Sequence, residues 1–188
     1  MPMNTCPVES PWLHRRRMNV SSAPVETRDW LLDPASLTGR LRAVCAGRFS
    51  VEVLAQGWAL PRSCEALELG VPSGRYGLVR QVYLRCDQAA WVYARTVIPA
   101  ATLRGPERRL GHLKARPLGA VLFSNPALRR TRVTIERLVP GDVLYAAATH
   151  GARHAPQVIW GRRSLFMINC KTLMVSEYFL PGIPPCKQ

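Results

Sequence analysis

Near the end of the chain, "LMVSEYFLP" (173–181) places a carboxylate inside an apolar stretch. In an extended strand successive side chains point to opposite faces, so Leu173, Val175, Glu177 and Phe179 share one face. The same period of two, applied to "YGLVRQVYLRC" (76–86), puts Arg80 at the centre of a face made by Tyr76, Leu78, Val82, Leu84 and Cys86. In "AWVYARTVIP" (90–99) it puts Arg95 beside Trp91, Tyr93 and Val97. A charged side chain facing a core is costly unless it is paired. One account is a buried salt bridge, for example Arg80 with Glu177. The other is a dry pocket for an anion, with arginine giving bidentate hydrogen bonds to a carboxylate. A glutamate desolvated in such a pocket has its pKa raised, which suits general acid or base work. Alternation alone leaves both accounts open.

Other chemistries find less support. Walker A and GxGxxG phosphate loops do not occur. His112, His150 and His154 fall on polar or loop segments and read as solvated, and Ser124 and Ser176 lack a nucleophile elbow. The six cysteines (Cys6, Cys45, Cys64, Cys86, Cys170 and Cys186) show neither a CxxC pair nor metal-ligand spacing. The expectation is therefore free thiols in a reduced, cytoplasmic protein, with Cys86 an inert buried thiol and no metal site. The formal net charge is +14, but only three of the 26 basic residues are lysines and the arginines are spread along the chain. That predicts nonspecific affinity for polyanions. No helix-turn-helix, zinc module or RNP-like aromatic motif points to nucleic acid as a specific partner. There is no apolar run long enough for a transmembrane segment, and the N-terminus lacks the apolar centre of a secretory signal.

The 188 residues suit one domain. Residues 1–28 are polar and without periodicity, and are expected to be a disordered extension before a domain spanning 29–188. Asp33, Pro34 and Ser36 open a helix carrying Leu37, Leu41 and Val44, with Gly47 as a stop. "RFSVEVLAQGWALP" reads as a strand. The two runs around Arg80 and Arg95 form a hairpin across "DQA", and "WGRRSLFMIN" with "TLMVSEYFLP" forms a second one turning at "NCK". Between the hairpins, "RGPERRLGHLKA" reads as a helix, "RPLGAVLFSNP" as a helical turn or packed loop, and "RVTIERLV" as a strand. Residues 140–157 read as irregular. Strands joined by hairpins with few helices give an α+β fold: a single antiparallel sheet with flanking helices.

Taken in order, "DWLLDPASLTGRL", "YGLVRQVYLRC", "WVYARTVIP", "TLRGPERRLGHLKARPLGAVLF", "WGRRSLF" and "LMVSEYFLP" resemble the chorismate pyruvate-lyases of bacterial ubiquinone synthesis. The resemblance covers roughly residues 29 to 181. It implies a sheet and helices enclosing an internal ligand cavity, acting on chorismate to give 4-hydroxybenzoate and pyruvate, with no cofactor; the expected state, apart from the resemblance, is a monomer. It carries the family's ligand-binding arginine onto Arg80, the leucine of its "PLG" turn onto Leu118, its acidic residue onto Glu177, and a position often methionine onto Leu37. Arg80 is expected to clamp the ring carboxylate, and Arg95 to meet the second carboxylate or its entry route. Leu118 is expected to wall the ring, and Glu177 to take the C4 proton or orient the 4-hydroxyl. The long N-terminal segment and the stretch from Gly141 to Gln157 depart from the family pattern. Two other classes remain: a small-molecule-sensing domain of the same fold, and a basic nucleic-acid-binding protein.

Overall fold

The computed structural model describes residues 20–185 apart from 151 and 153. Order begins earlier than the sequence suggests. A 3-10 turn (Val20–Ser22) and helix α1 (Val25–Leu32) start inside the segment expected to be an extension. They are held because Ala23, Trp30 and Leu31 are buried in the largest apolar cluster, and the Trp30 indole donates to the Pro184 carbonyl at 3.0 Å. Residues 1–19, where the rest of that expectation falls, lie outside the described residues.

Six strands form one sheet in the order β1-β2-β3-β6-β5-β4, every neighbour antiparallel. They are β1 (Phe49–Ala59), β2 (Gly77–Cys86), β3 (Ala89–Pro99), β4 (Leu128–Leu138), β5 (Ile159–Ile168) and β6 (Lys171–Phe179). Both expected hairpins form. The β5–β6 turn is Asn169–Cys170, with φ of 48° and 64°, the left-handed pair that a tight two-residue hairpin needs. Helices α2 (Leu37–Val44) and α4 (Leu118–Phe123) and a 3-10 helix (Gly105–His112) accompany one face. Ser36 caps α2, its hydroxyl accepting from the Gly39 amide. Besides α1, two helices were not anticipated: α3 (Ser63–Leu69), and α5 (Val143–Ala148) in the stretch expected to be irregular. They pack apolar side chains on the second face, where Leu69 joins Val79, Val97 and Met174, and Leu144 and Ala148 join three tyrosines. The central strands are therefore buried on both faces. Among the described residues no helix is long and apolar enough to cross a membrane.

The expectation of free thiols is corrected by a disulfide between Cys45 and Cys86. Cys45 is the C-cap of α2 and Cys86 ends β2, so the bond ties this helix to the sheet. A separation of 41 residues gives no local spacing signal; the pair meets because α2 lies across the end of β2. Cys64 and Cys170 are free thiols, and Cys6 and Cys186 fall outside the described residues.

Candidate active site

Cross-strand register decides which charges share a face. Gln56, Arg80, Thr96, Val175 and Ser164 form one row across the sheet, and Val82, Ala94, Glu177 and Arg162 form the next. Arg80 and Glu177 thus share a face but sit two strands apart, roughly 10 Å across the sheet. They are not each other's partners. Between this face and helices α2 and α4 lies a cavity lined by Arg80, Leu37, Leu118, Glu177 and Arg130 among others. The centre of a water molecule can reach about 50 Å³ of it. One water needs about 10–15 Å³ by that measure, so the cavity has room for several waters or the groups of a small ligand.

Arg80 is 3 % exposed. It donates to the Gln56 side-chain oxygen at 2.5 Å and to the Arg116 carbonyl at 3.3 Å. Both acceptors are neutral, and burial pushes the guanidinium below its ordinary pKa with no carboxylate to offset it. Gln56 is itself anchored, donating to the Gly111 carbonyl at 2.9 Å. A buried cation served only by neutral oxygens is a place for an anion.

Glu177 stands opposite Arg162 on β5, whose Nε donates to its Oε2 at 2.7 Å. Arg162 is 1 % exposed and also donates to the carbonyls of Trp30 and Asp33, which fixes the chain entering α2. Among the described residues Glu177 Oε1 accepts no hydrogen bond, so it is available to a ligand. Arg130, on β4, stacks over Phe123 and Phe166 with its carbon 5.7 and 5.2 Å from the ring centres. It donates to the Asp33 carbonyl at 3.2 Å, while its buried Nε has no partner among the described residues. Burial, and then the charge of Arg162, pushes its pKa below the usual value.

Leu37 begins α2, and Leu118 begins α4 after Pro117. Gly119 lets the two helices close over the cavity: a Cβ there would lie 3.2 Å from Thr38 Oγ1 and 3.3 Å from Ser36 Oγ. Gly161 permits a closer approach on the opposite face, since a Cβ there would run into the Tyr178 ring and fall 2.6 Å from the Glu177 carbonyl oxygen.

The structure brings together Leu37, Arg80, Leu118 and Glu177 and leaves Arg95 out. Arg95 pairs with Ser176 across β3–β6 and so faces the second side of the sheet. There Glu65 of α3 binds it through both carboxylate oxygens, at 2.7 and 3.0 Å. The expectation that Arg95 meets a second substrate carboxylate is corrected accordingly. Arg130 and Arg162 are the charged residues that alternation had not singled out. His112, His150 and His154 are exposed, as expected.

A sequence profile of the family described as Chorismate lyase matches residues 7–185. A probable chorismate pyruvate-lyase of Methylococcus capsulatus is 43% identical over 154 residues, covering 82% of this chain and 94% of that protein. One from Aromatoleum aromaticum is 40% identical over 183 residues, covering 96% of this chain and 97% of that protein. Among solved structures, the effector domain of PhnF from Mycobacterium smegmatis superposes with a TM-score of 0.57 at 22% identity, covering 80% of this chain and 91% of that one. The ligand-binding domain of a GntR-family regulator from Bordetella bronchiseptica gives 0.54 at 12% identity, covering 76% and 88%. At such identities these two structures speak to the fold alone.

Proposed function

Since this chain belongs to the chorismate lyase family, we propose that it converts chorismate to 4-hydroxybenzoate and pyruvate in the cavity between the sheet and helices α2 and α4. The observation that carries this reading is Arg80, a buried guanidinium with neutral acceptors only. It takes the ring carboxylate, and Leu37 and Leu118 flank the ring. C4 lies para to that carboxylate and so points across the sheet toward Glu177.

The elimination breaks the bond between C3 and the enolpyruvyl oxygen. The C4–H electron pair becomes ring π density, the C4 proton goes to Glu177 Oε1, and the leaving enolpyruvate takes up a proton to become pyruvate. Atoms and electrons balance without a redox partner. Aromatisation supplies driving force, so the protein's task is to orient the ring, exclude water and receive one proton. Arg162 keeps Glu177 in place for that step. The protein acts as a monomer on a small molecule, and its surplus positive charge reflects arginine usage rather than a nucleic-acid site.

The test is direct. Purified protein is incubated with chorismate, and 4-hydroxybenzoate is followed by its ultraviolet absorbance and by chromatography. Product formation is expected. Folded protein that yields none refutes the reading, and tight, salt-sensitive DNA retention without turnover would favour the nucleic-acid alternative.

A further inference from the structure

We propose that Arg130 is the residue that recognises the enolpyruvyl carboxylate of the substrate. The inference rests on the lyase reading above and assigns a role that Arg95, on the far face, does not fill.

Chorismate carries two carboxylates, and the cavity holds two guanidiniums without a carboxylate partner among the described residues. Arg80 enters from β2 and Arg130 from β4, four positions along the strand order. The third cation, Arg162, is already neutralised by Glu177. The chemistry separates the two ends. The ring carboxylate is at C1, para to C4; the enolpyruvyl ether is at C3, beside C4. Whatever group takes the C4 proton therefore sits near the enolpyruvyl end. Glu177 and Arg130 lie at one end of the cavity, where both border the Arg162–Asp33 corner: Arg162 bonds Glu177, and Arg130 and Arg162 both donate to the Asp33 carbonyl. Arg80 lies away from them, against Gln56 and Arg116.

Arg130 is also held in a way that suits an anion receptor. Its guanidinium lies against the mutually perpendicular rings of Phe123 and Phe166, and among the described residues it makes one hydrogen bond, from Nη1, which leaves Nη2 to a ligand. As the C3–O bond breaks, charge grows on the departing enolpyruvate beside this guanidinium, so Arg130 stabilises the transition state as well as the bound substrate.

The distinguishing experiment compares a dianion with a monoanion. Arg130→Gln and Arg130→Lys are each assayed for chorismate kcat/KM and for competitive inhibition by 4-hydroxybenzoate, which has no enolpyruvyl group. For Arg130→Gln, kcat/KM is expected to fall by roughly 10- to 100-fold, the usual worth of a charged hydrogen bond. The inhibition constant for 4-hydroxybenzoate should stay within about threefold, which also demonstrates an intact fold. Arg130→Lys should recover part of the loss. Parallel loss of product affinity, or unchanged kcat/KM, overturns the assignment. If the unsubstituted protein binds 4-hydroxybenzoate yet turns over no chorismate, the lyase reading itself fails, and Arg130 with it.

Discussion

The pair Arg95–Glu65 offers a test in which stability and activity must separate. Both side chains are buried, 8% and 1% exposed, and joined by two hydrogen bonds. Glu65 also accepts from the Arg62 amide at the start of α3. Replacing Arg95 with Met removes the guanidinium and leaves Glu65 a buried carboxylate with only Arg62 nearby, at 3.6 Å. Breaking a buried pair from one side costs about 3–5 kcal/mol. At about 2.1 cal/mol/K per residue, a chain of 188 residues loses on the order of 8–12 °C in Tm for that cost. The double variant Arg95→Met/Glu65→Leu removes both charges and should recover most of the loss, less about 1 kcal/mol for the helix start. Acid separates the variants further. Burial alone raises the Glu65 pKa, but the bonds and charge of Arg95 outweigh it and hold the folded value below 4.5. A depressed carboxylate stabilises the fold above its unfolded pKa and loses that contribution as pH falls through the folded value. The wild type should therefore destabilise below about pH 4.5 more steeply than the double variant. Thermal melts from pH 3 to 7, with chorismate turnover at pH 7, read all of this. A stable double variant that has lost turnover would refute the placement of Arg95 outside the site.

Three further outcomes follow from the site and its tether. Arg80→Gln should weaken chorismate and 4-hydroxybenzoate alike, by roughly 10- to 100-fold in KM and inhibition constant, because both carry the ring carboxylate; retained product affinity counts against the clamp. Glu177→Gln keeps an acceptor for Arg162 but takes up no proton, so kcat should fall by about 10²–10⁴-fold with product affinity little changed, and full turnover excludes Glu177 as the base. The Cys45–Cys86 bond closes a loop of some 41 residues, worth about 4 kcal/mol by chain entropy; reduction should expose two new thiols on titration and lower Tm by about 10 °C, and an unchanged Tm with both thiols released contradicts it.

The sheet was legible because its strands are long β-rich runs bounded by turn residues, and the period of two within them put Arg80 and Glu177 on apolar faces. What alternation cannot reveal is which face of a doubly buried strand borders the cavity. Arg95 and Thr96 are neighbours on β3, and only the register with β2 and β6 shows that Thr96 lies beside Arg80 while Arg95 turns away. The element that claims Arg95 was invisible too: α3 is seven residues long, too short for a helical period to declare itself. Arg162 could have been found. In "WGRRSLF" it shares a face with Trp160, Ser164 and Phe166, the same pattern that singled out Arg80. Arg130 could not, because a register shift between Arg130 and Arg132 breaks the alternation of β4 where it matters.

The two faces of the sheet give the charges different meanings. On the second face Arg95 meets Glu65, and Arg163 meets Glu68 and Glu136 at 2.8 and 2.7 Å. Each buried cation there has its anion within the protein, and burial is offset internally. On the first face, among the buried cations of the sheet's described residues, only Arg162 is matched in this way. Arg80 and Arg130 are desolvated against neutral oxygens and aromatic rings, at a cost that the fold does not recover by itself. On the proposed reading a dianion supplies both missing charges at once. Once the C3–O bond has broken those charges belong to two separate molecules, so pyruvate would depart from the Arg130 end while the ring carboxylate of 4-hydroxybenzoate stays with Arg80 beneath α2 and α4.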